Sequence, residues 1–416
     1  MIKFEVRPRV SAIDKRIVLG ETRRGDRALI GEMAEVGPTT KVFLSLDYEH
    51  VVGIFGKRGS GKSHLLGSLV EALAWHEVNS DLATVTTPRG AILFDLLNIF
   101  QWMGSSAEAP PVDTRLYHVP GYAPPDTQST AIRLRPQELN PEDWCLLLGI
   151  DGLREPMGQV LYEAVPIART NKRDRLEDLI RTISDFGVRF APETIRAVVQ
   201  RLTSYGSLGL FDKDGLTLRD LCRDKSASVL LFAGVPEDVR SLYVFLTLRR
   251  VYEERVHASQ IEKASLLGKA GTVVSAYEHS IPKMWLFIDE AQNIIPARNA
   301  SYAIDMLVRY VREGRNFGLS LCFTTQQPSA IDNRIMSQLD TLVSFTLTVP
   351  ADLTVIQNNL KNQAPREITR QGRPLSFQDA VRSMGVGQCM VSNIDSERAV
   401  FIKARERLTP HGGFEA

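Results

Sequence analysis

The stretch Gly56-Lys57-Arg58-Gly59-Ser60-Gly61-Lys62-Ser63 fits the pattern G-x-x-x-x-G-K-[ST] at every fixed position. Its surroundings fit as well. Val51-Val52-Gly53-Ile54-Phe55 before it is an apolar run of the length of a buried strand, and His64 to Leu73 after it carries apolar residues at helical spacing. A strand, a glycine loop and a helix in that order form a phosphate cradle. The glycines let successive backbone N–H groups turn inward, and the helix N-terminus adds a positive dipole. Gly56 to His64 are therefore expected to bind nucleotide, with Lys62 reaching the β- and γ-phosphates and the Ser63 hydroxyl reaching Mg²⁺.

Such a loop needs a parallel α/β sheet around it, and the rest of the chain supplies candidates. Gly90 to Asp95 reads as a second buried strand ending in a carboxylate, and Leu116 to Val119 as a third. Val229 to Gly234, Met284 to Asp289, Leu319 to Thr325 and Thr341 to Leu347 continue the series, with helices expected over Val239–Val256 and Tyr302–Arg312. Alternation of this kind implies an α/β fold with a largely parallel sheet. Cys389 lies in one arm of an expected C-terminal hairpin, Gly387 to Val391 with Ala399 to Lys403.

Two segments differ from that core. Residues 1–46 hold short alternating runs (Lys3 to Val10, Arg16 to Leu19, Lys41 to Leu46) separated by Gly20, Gly25-Asp26 and Gly37-Pro38. They read as a small sheet or partial barrel, too small to stand alone, whose open strand edges suit assembly or partner docking. Residues 47–416 form the core, interrupted over about 136–226 by a helical insertion that starts with Asn140 as cap and Pro141 in the first turn. Arg169, Lys172, Arg173 and Arg175 cluster within it, as a solvated helix end or a phosphate-contacting loop.

Composition narrows the partners. The chain of 416 residues has a net charge of +1, so contact with nucleic acid requires local basic patches or a pore built by several subunits. The four cysteines lack C-x-x-C spacing and read as buried small hydrophobes of a reducing compartment. The first residues show no signal peptide, and no run of 18 apolar residues exists, so a cytoplasmic protein without a membrane span is expected.

The second half of the hydrolysis site is an apolar strand ending in Asp289-Glu290. Asp289 is assigned to the Mg²⁺ water shell and Glu290 to activation of the attacking water. Gln326 follows the next strand, where a side-chain amide can bond to the γ-phosphate or the attacking water. Arg315, on a loop after a helix, is the candidate to complete a neighbouring subunit's site, with Arg312 as runner-up.

Taken together, Gly53–Ser63, Leu286–Pro296, Arg312–Thr341, Gly387–Asn393 and the closing His411-Gly412-Gly413 resemble the HerA branch of the HerA–FtsK superfamily in order and spacing. The chain departs from that pattern at Gln292, where a histidine is common, and at Gln327, where an arginine is common. The resemblance implies a RecA-like ATPase core in a homohexameric ring that moves double-stranded DNA through its pore. It also implies an effector partner, nuclease-like or sirtuin-like in the shortened relatives found in antiphage systems. An ATP-bound scaffold that assembles and gates its effector, with slow hydrolysis, is the alternative.

Overall fold

The computed structural model describes residues 3–4, 16–34, 40–74, 81–104, 112–125, 127–267, 280–297, 302–360, 367–370, 373–395 and 398–412. Most of the Lys3–Val10 run, the Gly37-Pro38 turn and Gly413 lie outside these residues. Strands β1 (Lys3–Phe4), β2 (Arg16–Leu19), β3 (Arg27–Met33) and β4 (Lys41–Ser45) precede β5 (Val51–Phe55) and helix α1 (Lys62–Leu73). Next come β6 (Ala83–Thr84), β7 (Arg89–Asp95), β8 (Thr114–His118) and β9 (Thr130–Ala131). Helices α2 (Pro141–Leu148), α3 (Pro156–Thr170), α4 (Leu176–Ser184), α5 (Pro192–Ser207) and α6 (Leu218–Leu221) lead to β10 (Ala227–Leu231) and α7 (Glu237–Leu266). The chain continues with β11 (Lys283–Ile288), β12 (Leu319–Thr325), β13 (Thr341–Ser344), the small pair β14 (Glu367–Arg370) and β15 (Arg373–Ser376), then β16 (Gln388–Asn393) and β17 (Arg398–Ala404).

The central strands pair in the order β13-β5-β12-β11-β7-β10-β8, all parallel. Their sequences explain why. Every residue of β5, β7 and β12 is buried, as expected for parallel strands covered on both faces. Alternate residues serve opposite cores. Met284, Leu286 and Ile288 of β11 join one apolar cluster, and Trp285 and Phe287 join the other. Helix α1 covers the second face through Leu65, Leu66, Leu69 and Val70. Helix α7 and the Tyr302–Glu313 helix cover the first, through Val239, Tyr243, Leu307 and Val311. The phosphate loop thus leaves the carboxyl edge of the sheet from a strand flanked on both sides.

Beyond β13 the sheet turns antiparallel through the β16–β17 hairpin. Among the described residues, the N-terminal strands extend this same sheet. β17 pairs with β3 at Ile402 and Met33, and β4 and β2 follow outward. Asp47 organises the turn before β3 by accepting the N–H groups of Arg23, Arg24, Gly25 and Asp26.

Helices α2 to α5 share a core of their own, built on Trp144, Leu161, Ile183, Val198 and Leu202 and seated on Leu242 and Leu246 of α7. Asn140 N–H donates to Asp143 Oδ2 at 2.6 Å, and Pro141 fills the first turn of α2. Helix α7 runs ten residues past the expected Val256. Its last turns keep helix-forming residues but lose the regular apolar stripe, so periodicity alone stops short. All four cysteines are buried and free. Among the described residues, no helix is long and apolar enough to cross a membrane.

Candidate nucleotide-hydrolysis site

Three backbone contacts fix the loop after β5. Gly56 N–H donates to Thr325 O at 3.3 Å, Lys57 N–H to Thr346 O at 2.9 Å, and Gly387 N–H to Ser60 O at 3.0 Å. The glycines are needed for two different reasons. Gly61 has φ of 114°, which favours glycine, and a Cβ on Gly56 would lie 2.6 Å from Ser60 Oγ. Lys57, Arg58 and Gly59 are exposed at the tip, whereas Ser60 and Lys62 are buried. Lys62 Nζ donates to Lys57 O at 3.0 Å, inside the ring of the loop. Burial pulls the Lys62 ammonium below its ordinary pKa, against the opposing charges of Glu290 and Asp289.

The acid pair arrives from β11, two strands away. Asp289 Oδ1 accepts from Ser63 Oγ at 3.0 Å and Thr324 Oγ1 at 2.5 Å. Asp289 Oδ2 is buried and has no hydrogen-bond partner among the described residues. Burial pushes this carboxyl up, the Thr324 bond opposes that, and the charge of Glu290 adds to it. A serine hydroxyl beside a carboxylate with one uncommitted oxygen suits a hard divalent cation that keeps part of its water shell, which is the habit of Mg²⁺.

Glu290 has a left-handed backbone, φ 51°, with its N–H held by Thr324 Oγ1 at 3.1 Å. Its carboxylate accepts from two amides, Gln326 Nε2 at 2.6 Å and Gln292 Nε2 at 2.8 Å. Lys62, Ser63, Asp289, Glu290 and Gln326 are therefore brought to one place from three strands.

Asp95 joins them from β7, whose Phe94 pairs with Ile288. Its fully buried carboxylate accepts the N–H groups of Leu97, Ile99 and Phe100. Burial pushes the Asp95 carboxyl up to about 7, the Phe100 N–H opposes, and the nearby Asp289 charge adds. The sequence marks Asp95 only as a strand-ending acid. The available signal is that two adjacent parallel strands end in carboxylates.

The His64 ring has a different task. Its Nε2 accepts the N–H of Arg407 at 3.0 Å. The C-terminal segment passes over α1 here. Glu71 is completely buried and accepts from Arg405 Nη1 at 3.0 Å, Thr409 N at 2.8 Å and Thr409 Oγ1 at 2.6 Å. Arg405 Nη2 also donates to Ser68 O. His411 packs against His64 and Phe100, and Gly412 N–H donates to Ile99 O. The chain's last described residues thus brace both the phosphate-loop helix and the loop after Asp95.

The structure does not bring Arg315 or Arg312 to this chain's own loop. Arg315 sits in a short 3₁₀ turn, Gly314–Phe317, and its Nη2 donates to Gln338 O at 2.8 Å and Asp340 Oδ2 at 2.9 Å. Asp340 also accepts from Val51 N at 2.7 Å, and His50 Nδ1 lies 2.9 Å away. Burial works against a charge on Asp340, but His50, the Val51 N–H and Arg315 hold its carboxyl below the usual range. This cluster lies at the amino end of β5, about 16 Å of strand from the phosphate loop. Arg312 is exposed on the last turn of its helix.

Comparison with known proteins agrees with this geometry. Residues 29–251 match the family described as helicase HerA, central domain, and residues 275–411 match helicase HerA-like C-terminal. The probable helicase MJ1565 of Methanocaldococcus jannaschii is 24% identical over 253 residues, covering 58% of this chain and 47% of that protein. The DNA double-strand break repair helicase HerA of Pyrococcus furiosus is 25% identical over 175 residues, covering 38% of this chain and 31% of that protein. The matched stretch is less than half the length of either relative. VirB4 of Thermoanaerobacter pseudethanolicus has a TM-score of 0.56 at 13% identity, covering 92% of this chain and 98% of that one. The bacterial conjugative coupling protein TrwB gives 0.53 at 12% identity, covering 95% of each chain. These structures share the RecA-like P-loop fold. With both halves of the described core matched in order, the chain belongs to the HerA helicase family.

Proposed function

We propose that the chain is the ATP-hydrolysing subunit of a homohexameric ring that translocates or unwinds double-stranded DNA together with a nuclease or sirtuin-like effector, in antiphage defence. The observation that carries the catalytic part is the convergence of Lys62, Ser63, Asp289 and Glu290 at the carboxyl edge of one sheet. Backbone N–H groups of Gly56 to His64 wrap the phosphates, and Lys62 neutralises their charge. Ser63 and Asp289 would hold Mg²⁺, which would supply charge neutralisation for the transferring phosphate. Glu290 orients water and accepts its proton. The relatives' names connect them to helicase work and DNA repair, which supports the DNA part of the reading. Among the described residues β2 is the outermost strand on its side of the sheet, and it is the proposed docking strand for an effector. The test is ATP turnover of the purified protein with and without linear duplex DNA. Strong stimulation is expected. No stimulation, with or without a partner, overturns the translocase and leaves the ATP-bound scaffold.

Arg315 is proposed to complete the neighbouring subunit's site, releasing Asp340 to do so. Arg315→Ala should then bind ATP and lose hydrolysis by about 10³-fold or more. Mixed with Lys62→Ala subunits, it should recover activity, because some interfaces then pair an intact site with an intact arginine. Confirmed co-assembly without recovery, accompanied by a lowered Tm, would restrict Arg315 to anchoring Asp340.

A further inference from the structure

Glu290 is held unevenly, and the difference lies in what stands behind each tie. On Oε1 the donor is Gln326, whose amide nitrogen is 2.6 Å away. On Oε2 the donor is Gln292, whose carbonyl oxygen is itself fixed by Thr325 Oγ1 at 2.7 Å. Thr325 closes β12, its hydroxyl accepts Gln327 N–H at 3.0 Å, and its carbonyl accepts Gly56 N–H of the phosphate loop. The Gln292 amide is therefore clamped between the carboxylate and the strand that borders β5. Its orientation is fixed by chemistry as well. A flipped amide would set its carbonyl oxygen against a carboxylate oxygen and take away the acceptor of the Thr325 hydroxyl.

We propose that Gln292 is a positioning residue for hydrolysis. It anchors Glu290 Oε2 to β12 and, through Thr325, to the phosphate loop, which leaves Oε1 as the oxygen that meets the attacking water. Gln326 is then the exchangeable tie. Its amide occupies Oε1 until the γ-phosphate or the attacking water competes for it. A carboxylate that must accept a proton in a defined direction gains from one immobile oxygen, because general-base catalysis depends on geometry before strength. The left-handed backbone of Glu290 fits this role, since a strained residue persists where its surroundings over-determine it. The inference rests on the hydrolytic reading above and adds to it a residue that acts only through Glu290.

The experiment is a double-mutant cycle on single-turnover ATP hydrolysis, with ATP affinity and Tm measured alongside. Gln292→Met keeps the volume and removes the donor. It should lower the rate roughly 10- to 100-fold, the scale of a misplaced catalytic group, with ATP affinity unchanged. In a Glu290→Gln background the same change should cost almost nothing, because the group it positions is already disabled. Gln292→Asn keeps an amide one methylene short and should fall with Gln292→Met; it also serves if the methionine variant is unstable. Equal losses in both backgrounds, or a loss that tracks a lowered Tm, would make Gln292 merely structural and overturn the proposal. So would a full rate for Gln292→Met while Glu290→Gln is inactive. If Glu290→Gln itself keeps wild-type turnover, the hydrolytic reading fails instead, which separates the two.

Discussion

Glu290→Gln should bind ATP normally and hydrolyse it on the order of 10²–10⁴-fold more slowly, the usual contribution of a positioned general base. The substitution conserves shape in a buried site, so folding is spared. It does place a new NH₂ opposite an existing amide donor, Gln292 or Gln326. Gln326 has the freedom to answer by turning its own carbonyl inward, which restores a neutral hydrogen-bond chain. Lys62 meanwhile loses one of its two anionic neighbours, a loss that the phosphates of ATP make good. Affinity is therefore expected to hold or rise while turnover collapses. Calorimetric titration with ATP, together with single-turnover hydrolysis, reads both. Wild-type turnover in this variant would remove Glu290 from the water-activating role.

Lys62→Met should abolish the rise in Tm that ATP causes in the wild type, because binding stabilises only what it binds. The ligand-free variant should nevertheless melt no lower than the parent. The sign follows from the environment of the ammonium. Burial outweighs attraction to Glu290 and Asp289, so the folded pKa lies below 10.5 and the fold disfavours the charge. That penalty is present at neutral pH and fades as pH rises towards the unfolded pKa. Removing the charge relieves it, and the methionine stem fills the same space. Differential scanning fluorimetry at pH 7, with and without ATP, checks both halves. A ligand-free Tm several degrees lower would mean that the lysine is a structural cation; a preserved ATP shift would mean that the loop binds phosphate without it.

What the sequence made legible was local. The glycine loop, the acid pair and the buried strands are contiguous patterns, and each carries its own physical signature of spacing, apolarity or backbone need. The partners that tune them come from far along the chain. Asp340 captures Arg315 because they stand at the amino ends of β13 and β12, the two strands on either side of β5, which spacing within one helix and loop does not show. Asp95 meets Asp289 only once β7 and β11 are known to pair. Arg16 to Leu19 and Lys41 to Leu46 read correctly as strands, but β3 between them was not read from the sequence, and its junction with β17 depends on pairing across most of the chain. Gln292 was visible as a departure from a family pattern. Its meaning appears only when Thr325 and Glu290 are seen on either side of it.

The brace over α1 also bears on how the protein is made. Glu71 and Arg405 are 334 residues apart, and the strands that flank β5 on both sides are β12 and β13. A ribosome exposes the glycine loop well before β12, β13 and the Arg405 segment that wall and brace its pocket. Until then a buried carboxylate lacks its cation and an apolar strand lacks both neighbours, so the partial chain has reason to stay unfolded or chaperone-bound. The helix behind the glycine loop gains its brace only when the segment from Arg405 to Thr409 is delivered, and a polypeptide stopped before it carries the motif without that support.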